Sequence, residues 1–330
     1  MTSPDARTRR RLEVACDESG WEGENLIASN TDVFAHASVH VDLDSAVHAV
    51  QEVRDRIRSP ATEYKANHLL RSKHRPVLEW VLGPGGPLHR SAHVRLVDKA
   101  YFVVRVAVGV LTEDRDAAAI AHTLNGQGSR TFGRARWHAF LVASNGSMRT
   151  KVVGEPVDMF FDALDALHST GAHGRIGEIV ELLRGTRPQA VAYRESLRDD
   201  PAMVPVLDPL APAIVRAARY WTEFGASVSI VHDRQNTLTE ERIEQIAAMF
   251  DAGPSRGRLS GLRLVQARLD ARVQLADFLA GVARKIASDE LNGRGDATLT
   301  TLLRPYVDPL SVWDDDRSRL LLGAPTAVRR

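Results

Sequence analysis

"VACDESGW", residues 14–21, is the stretch on which the reading of the chain turns. An apolar run leads into two adjacent acids, Asp17 and Glu18, and then into Ser19 and Gly20. Residues 11 to 20 read as a strand that ends at the acids. The tetrad Asp17–Glu18–Ser19–Gly20 is then either the start of an active site or a polar turn, because Asp, Ser and Gly all favour turns. Side chains alternate along a strand, so Glu18 faces away from Asp17 if the strand continues. Asp17 is therefore the ligand candidate, and Glu18, Ser19 and Gly20 are assigned to the turn that releases the strand.

Outward from this stretch, "VFAHASVHVD" (33–42) is a second β-type run with Val33, Ala35, Ala37, Val39 and Val41 on one face. A helix follows, with Asp44 or Ser45 as its cap, a stripe of Ala46, Val50, Val53 and Ile57, and Pro60 as its stop. "HVRLVDKAYFVVRVAVGVL" (93–111) is rich in valine and aromatics and predicts one or two buried strands. From about 112 to 225 helical patterns dominate. Strand signals return at "ASVSIVHDRQN" (226–236) and "LRLVQARL" (262–269). Between them a helix starts at Thr237 or Thr239. "ARVQLADFLAGVARKIAS" (271–288) is the clearest helix, with a stripe of Leu275, Leu279, Val282 and Ile286.

Bulk properties narrow the partners. A length of 330 residues suits one large domain, or one domain carrying an insertion. The net charge of +1 means that any nucleic-acid contact must come from a local basic patch. Cys16 is the single cysteine, so no intramolecular disulfide can form, which fits a reducing cytoplasm. No apolar run is long enough to span a bilayer, and "LEVACDESG" is too short and too acidic for a signal peptide. A soluble cytoplasmic protein with no membrane partner is expected.

Acids fall at telling places. Asp17 ends the first strand, Asp233 ends "SVSIVHD", and Asp277 lies within the last strong helix. There Gln274, Asp277 and Gly281 share a face, and the small residues let that face approach a sheet edge closely. Convergent carboxylates can hold Mg²⁺ or Mn²⁺, and two such ions suit phosphodiester hydrolysis. Each acid also has a plain structural reading. Asp233 can receive hydrogen bonds from the following "RQNT" loop. Asp277 can pair with Arg284 or Arg272. Glu63 can form a surface ion pair with Lys65. If "EYK" (63–65) is extended, Glu63 and Lys65 point to one side; if it is helical they do not.

With "VACDESG", "EYK", "VHDRQN" (231–236) and "VQLADFLAG" (273–281) in this order, the sequence resembles the domain-of-unknown-function family numbered 3800. Members of that family look like ribonuclease H-like proteins of the retroviral-integrase superfamily. The resemblance covers roughly residues 10 to 290. It implies an α/β fold, a ribonuclease H-like mixed sheet flanked by helices, with 112–225 a mainly helical insertion and 291–330 a peripheral tail. It also implies a metal-dependent nuclease acting on RNA or DNA. Asp17, Asp233 and Asp277 would be ligands to Mg²⁺ or Mn²⁺, Glu63 a fourth acid, and Lys65 a phosphate contact.

Lys65 and Arg234 are the candidates to stabilise developing charge. Gln274, Arg71 and Lys73 complete the substrate-facing set, the last two from the basic run "LLRSKHRP" (69–76). "NGQGSRTFGRARWHAF" (125–140) interleaves Arg130, Arg134 and Arg136 with Phe132 and Trp137, a pattern able to bind phosphates and stack bases, or else a solvated basic loop. His232 is a ligand, a proton shuttle or a residue packed at a strand end. No Cys/His zinc spacing and no serine nucleophile elbow is present. The alternatives to a nuclease are a non-catalytic module binding nucleic acid or a nucleotide, and a regulatory protein whose helical insertion is its interface.

Overall fold

The computed structural model describes residues 11–58, 65–113, 116–200, 203–223, 227–254, 257–314 and 320–323. Strand β1 (Arg11–Ser19) is the centre of a five-stranded sheet. β2 (Val33–Val39) pairs antiparallel with it, and β3 (Ala92–Asp98) pairs antiparallel with β2. On the other side β4 (Ser227–Asp233) runs parallel to β1, and β5 (Arg258–Val265) runs parallel to β4. The order is β3-β2-β1-β4-β5, a mixed open sheet of the α/β class.

Helices cover both faces. Helix α1 (Leu43–Ile57) begins at Asp42, whose carboxylate accepts from the Ser45 amide at 2.8 Å. This cap lies ahead of the expected Asp44 or Ser45 because Asp42 is the residue whose side chain reaches the third free N–H. The expected stripe of Ala46, Val50, Val53 and Ile57 is buried. After the single turn α2 (Ala66–Leu69) comes α3 (Arg75–Leu82). Both pack with α1 on the face of the sheet that carries Val33, Ala35, Ala37 and Val39.

The opposite face receives α4 (Lys99–Thr112), α5 (Ala117–Phe132), α6 (Arg134–Met148), α7 (Pro156–His168), α8 (Gly174–Arg184), α9 (Arg187–Asp199) and α10 (Leu210–Thr222). Their buried residues join Leu12, Val14, Cys16 and Phe34 of the strands in one core. The run 93–111 is thus a strand followed by a helix, not one or two strands. Asp98 caps the helix by accepting from the Ala100 and Tyr101 amides at 3.0 and 3.2 Å. Val103, Val104, Ala107, Val108 and Leu111 are buried at helical spacing, so packing overrides the β preference of valine.

Helix α11 (Glu240–Asp251) starts from Thr239, and α12 (Ala271–Leu291) lies along the α1 face with α13 (Ala297–Leu303) after it. The segment past Asn292 is not peripheral. Val307 and Val312 pair with Val94 and Val97 of β3, and Asp308 is fully buried. Its Gly, Pro and Asp clusters turn the chain back onto the open edge of the sheet. Among the described residues no helix is long and apolar enough to cross a membrane.

Candidate active site

The parallel register of β1 and β4 matches Ala15 with Val231 and Cys16 with His232. The next residue on each strand is an aspartate, Asp17 on β1 and Asp233 on β4, so the two emerge side by side at the carboxyl ends. Ala15 and Val231 form a small cluster with Val273 of α12. Asp277 is one turn beyond Val273, which places it over the two strand-end acids. Gly281, one turn further, is where α2 crosses. A Cβ there would meet the Ala66 Cβ at 2.3 Å, so no side chain fits without moving the helices apart. Arg284 continues the row and donates from Nε to Ser19 Oγ at 3.0 Å.

Charge accumulates at this end. Asp17 is 5% exposed and its Oδ1 accepts from the Glu18 amide at 2.7 Å. Burial first, and then the charges of Glu18, Asp277 and Asp233, push its carboxyl well above the usual range. Glu18 is pushed up to about 8, by burial and then by the charge of Asp233. These mutual effects place four acids in one electrostatic unit.

Glu18 corrects the sequence reading. The strand runs through it to Ser19, and the turn begins at Gly20, where a φ of +88° and the 2.4 Å at which a Cβ would meet the Val33 carbonyl suit only glycine. Glu18 projects to the face opposite Asp17, as alternation requires, and there it has company. His36 is its cross-strand partner on β2, and His232 lies diagonally across on β4. The two imidazoles stack at 5.4 Å. Gln235 donates to Glu18 Oε1, whereas Oε2 has no hydrogen-bond partner.

Glu18 Oε2 lies 3.6 Å from His232 Nε2. His232 Nδ1 sits 2.9 Å from the Asp233 carbonyl, an acceptor, which assigns the proton to Nδ1 and leaves Nε2 a bare lone pair. Burial drives His232 down to about 4. Near neutral pH the contact is thus a protonated acid against a neutral imidazole, not an ion pair. Both ring nitrogens of the buried His36 are without a partner. Sequence reasoning missed Glu18 and His36, and only the β1–β2 register could have joined them.

The other expected residues are spread around this centre. Asp233 Oδ1 accepts from the Ala267 amide at 2.8 Å, so its bond comes from the segment after β5 and not from the "RQNT" loop. Beside it, Arg234 is exposed on the wall of a cavity of about 330 Å³ shared with Arg268. Gln274 is half-buried one turn before Asp277. Lys65 is exposed at the start of α2, next to the Ala66 that packs on Gly281. Arg71 and Lys73 are exposed on the turn after α2. Glu63 lies outside the described residues. Arg272 does not serve Asp277: it binds Asp270 at 2.6 Å and Glu13 at 2.6 Å. Phe132 and Trp137 are buried in the core, so the arginines around them have no stacking platform.

The donor chemistry fits a hard divalent cation. Asp17, Asp233 and Asp277 supply only oxygen, and the charges of the last two raise the carboxyl of the first. Among the described residues, no three His, Cys, Asp or Glu side chains are placed to enclose one ion. Asp17 and Asp233 each turn an oxygen back to a backbone amide, and Glu18 points to the other face. Compared with known proteins, the chain matches no family model, no curated protein and no solved structure.

Proposed function

We propose that the chain is a ribonuclease H-like, metal-dependent phosphodiesterase of nucleic acid. The observation that carries this reading is the meeting of Asp17, Asp233 and Asp277 on one face at the carboxyl ends of β1 and β4. Those strands are parallel neighbours whose chains leave toward opposite edges of the sheet, and open α/β sheets bind ligands at such points. The resemblance to the family numbered 3800 implies acids on a first strand, a later strand and a final helix, which is the arrangement proposed for Asp17, Asp233 and Asp277.

Asp17, Asp233 and Asp277 would hold Mg²⁺ or Mn²⁺. Bound there, such an ion supplies positive charge against a scissile phosphodiester. The protein's own groups do the rest. Glu18, held up to about 8, is mostly protonated near neutral pH and would ionise more readily with a cation held by the neighbouring carboxylates. His232, held down to about 4, stays neutral beside it. Lys65 and Arg234 are exposed cations at two margins of the site, able to contact phosphates.

Incubation of the protein with end-labelled RNA and DNA in Mn²⁺ or Mg²⁺ tests the reading. Cleavage is expected, with a loss of at least a hundredfold in Asp17→Asn and Asp277→Asn. Cleavage unchanged by both substitutions contradicts the site. A second reading, a non-catalytic module for nucleic acid, is favoured by the absence of a ready three-ligand group among the described residues. Under that reading nucleic acid binds and no variant or metal produces cleavage.

A further inference from the structure

Two turns beyond Asp277, about 10 Å along the helix axis, Arg284 reaches a second cavity of about 470 Å³. Lys99, the first residue of α4, stands on the same wall and is 1% exposed. Its Nζ donates to Ser29 Oγ at 2.9 Å, to the Thr31 carbonyl at 2.9 Å and to Thr31 Oγ1 at 2.6 Å. All three acceptors are neutral, and the carboxylates that act on the ammonium, Glu22 and Asp32, do so from beyond ion-pair distance. Arg284 likewise spends its Nε on the Ser19 hydroxyl. Among the described residues, neither cation has a carboxylate within ion-pair distance.

Arg294 is exposed on the same wall, paired with Asp289 at 3.5 Å, and Asp32 is the wall's one acid, already accepting from Asn292 Nδ2 at 2.6 Å. Burial drives Lys99 down to about 8, so it still carries most of its charge at pH 7. Buried cations are rarely left uncompensated, because desolvation penalises the charged form. An ammonium, a guanidinium and an amide around one polar space suit an anion with several oxygens.

We propose that this cavity is a phosphate subsite, seating a backbone phosphate of the strand that the carboxylate end acts on. The inference rests on the nuclease reading for the identity of its ligand, though not for the presence of an anion site. Seven residues separate Arg284 from Asp277 on one helix, so the strand would run along α12 from the acids to the cations. Ser19, which holds Arg284 and follows Asp17 on the same face of β1, ties the two places together.

The test uses inorganic phosphate and a fluorescent single-stranded DNA 12-mer, both in EDTA so that no cleavage occurs. Phosphate is expected to raise the unfolding temperature of the wild-type protein and to compete with the oligonucleotide. Arg284→Gln is expected to weaken both effects at least tenfold without lowering the unliganded unfolding temperature by more than a few degrees. Lys99→Met should do the same, and Arg284→Gln decides alone if Lys99→Met does not fold. Equal phosphate binding in wild type and Arg284→Gln overturns the subsite. Phosphate binding without competition overturns the strand assignment, and points to a free phosphate or nucleotide. Asp17→Asn is expected to retain phosphate binding. If phosphate binds and competes while no metal-dependent cleavage is found, the subsite stands and the nuclease reading alone fails.

Discussion

Two buried polar clusters lie on one face of the same sheet; the hydrogen bonds of one are closed, and several in the other are left open. Ser38 of β2, His93 of β3, Arg216 of α10 and Asp308 form the closed one. His93 Nε2 lies 2.7 Å from Asp308 Oδ2, and Arg216 Nε donates to that oxygen at 2.6 Å. Leu310 caps Asp308 Oδ1 through its amide at 2.6 Å, and Tyr220 stacks on His93 at 3.9 Å. Serine, histidine and aspartate in a row carry the groups of a hydrolase triad. Here Ser38 and Asp308 are wholly buried, and the serine oxygen accepts from Trp221 Nε1 at 2.9 Å. The polar atoms are satisfied and closed to substrate, which marks the cluster as structural.

Glu18, His36 and His232 form the open cluster, with Asp17, Asp233 and Asp277 just across the strand ends. Asp17 and Glu18 are pushed upward, and Glu18, His36 and His232 have atoms without hydrogen-bond partners. Asp308 is different: burial pushes it up, but His93 and Arg216 together outweigh that and hold its carboxyl well below the usual range. Residue type does not separate the clusters. Satisfaction does: a satisfied network contributes stability, and an unsatisfied one keeps groups available to bind.

Removing one member of the closed network should have the largest effect on stability. Asp308→Ala leaves Arg216 and His93 without their acceptor and is expected to cost about 3–5 kcal/mol, read from urea unfolding. A cost below about 1 kcal/mol would show that the network is not a stability element. Gly281→Ala sets a methyl against Ala66 and is expected to cost about 1–3 kcal/mol. Because the strain falls beside Asp277, it should lower activity as well, and a fully active, equally stable variant contradicts the packing of α2 on α12.

Substitution in the open cluster should have the opposite sign. Glu18→Gln, measured without metal at pH 8, is expected to stabilise by about 1 kcal/mol or more, because it removes a confined negative charge. Destabilisation would show that the charge is already compensated.

The most diagnostic effect is on the pH profile. The folded value of Glu18 stands at about 8 against an ordinary 4.5. Its contribution is present below pH ~4.5 and lost as pH rises toward 8, at up to about 1.4 kcal/mol per unit. The folded value of Asp308 is depressed, so its contribution is present above the ordinary carboxylate range and lost only as pH falls through that lowered value. Metal-free protein should therefore lose stability between pH 5 and 8. Glu18→Gln should flatten part of that slope, with Asp98, held up to about 7 by burial and by Asp314, retaining the rest. A slope identical in wild type and Glu18→Gln contradicts the assignment.

Local periodicity made much of this legible. The alternation in β1 and β2 and the apolar stripes of α1 and α12 are visible in the chain, and each survives in the fold. Strand-end position and helix register put Asp17, Asp233 and Asp277 on their elements. What stayed hidden depends on distant partners. Residues 99–112 fit both a strand and a helix, and the packing of α4 against the sheet decided between them. Glu18 could be assigned a face but not its neighbours, since His36 and His232 reach it only through two strand registers. Lys99 and Arg284 are far apart in sequence, so the cavity they share has no local signature.

The central claim is the proposal that Asp17, with Asp233 and Asp277, binds a divalent cation. Calorimetric titration of Mn²⁺ into wild-type protein and Asp17→Asn, in two buffers of different ionisation enthalpy, tests it most directly. The account predicts binding to the wild type with net proton release near pH 7, as Glu18 ionises, and binding at least tenfold weaker in Asp17→Asn. Equal binding in both proteins, or none in the wild type, would contradict it.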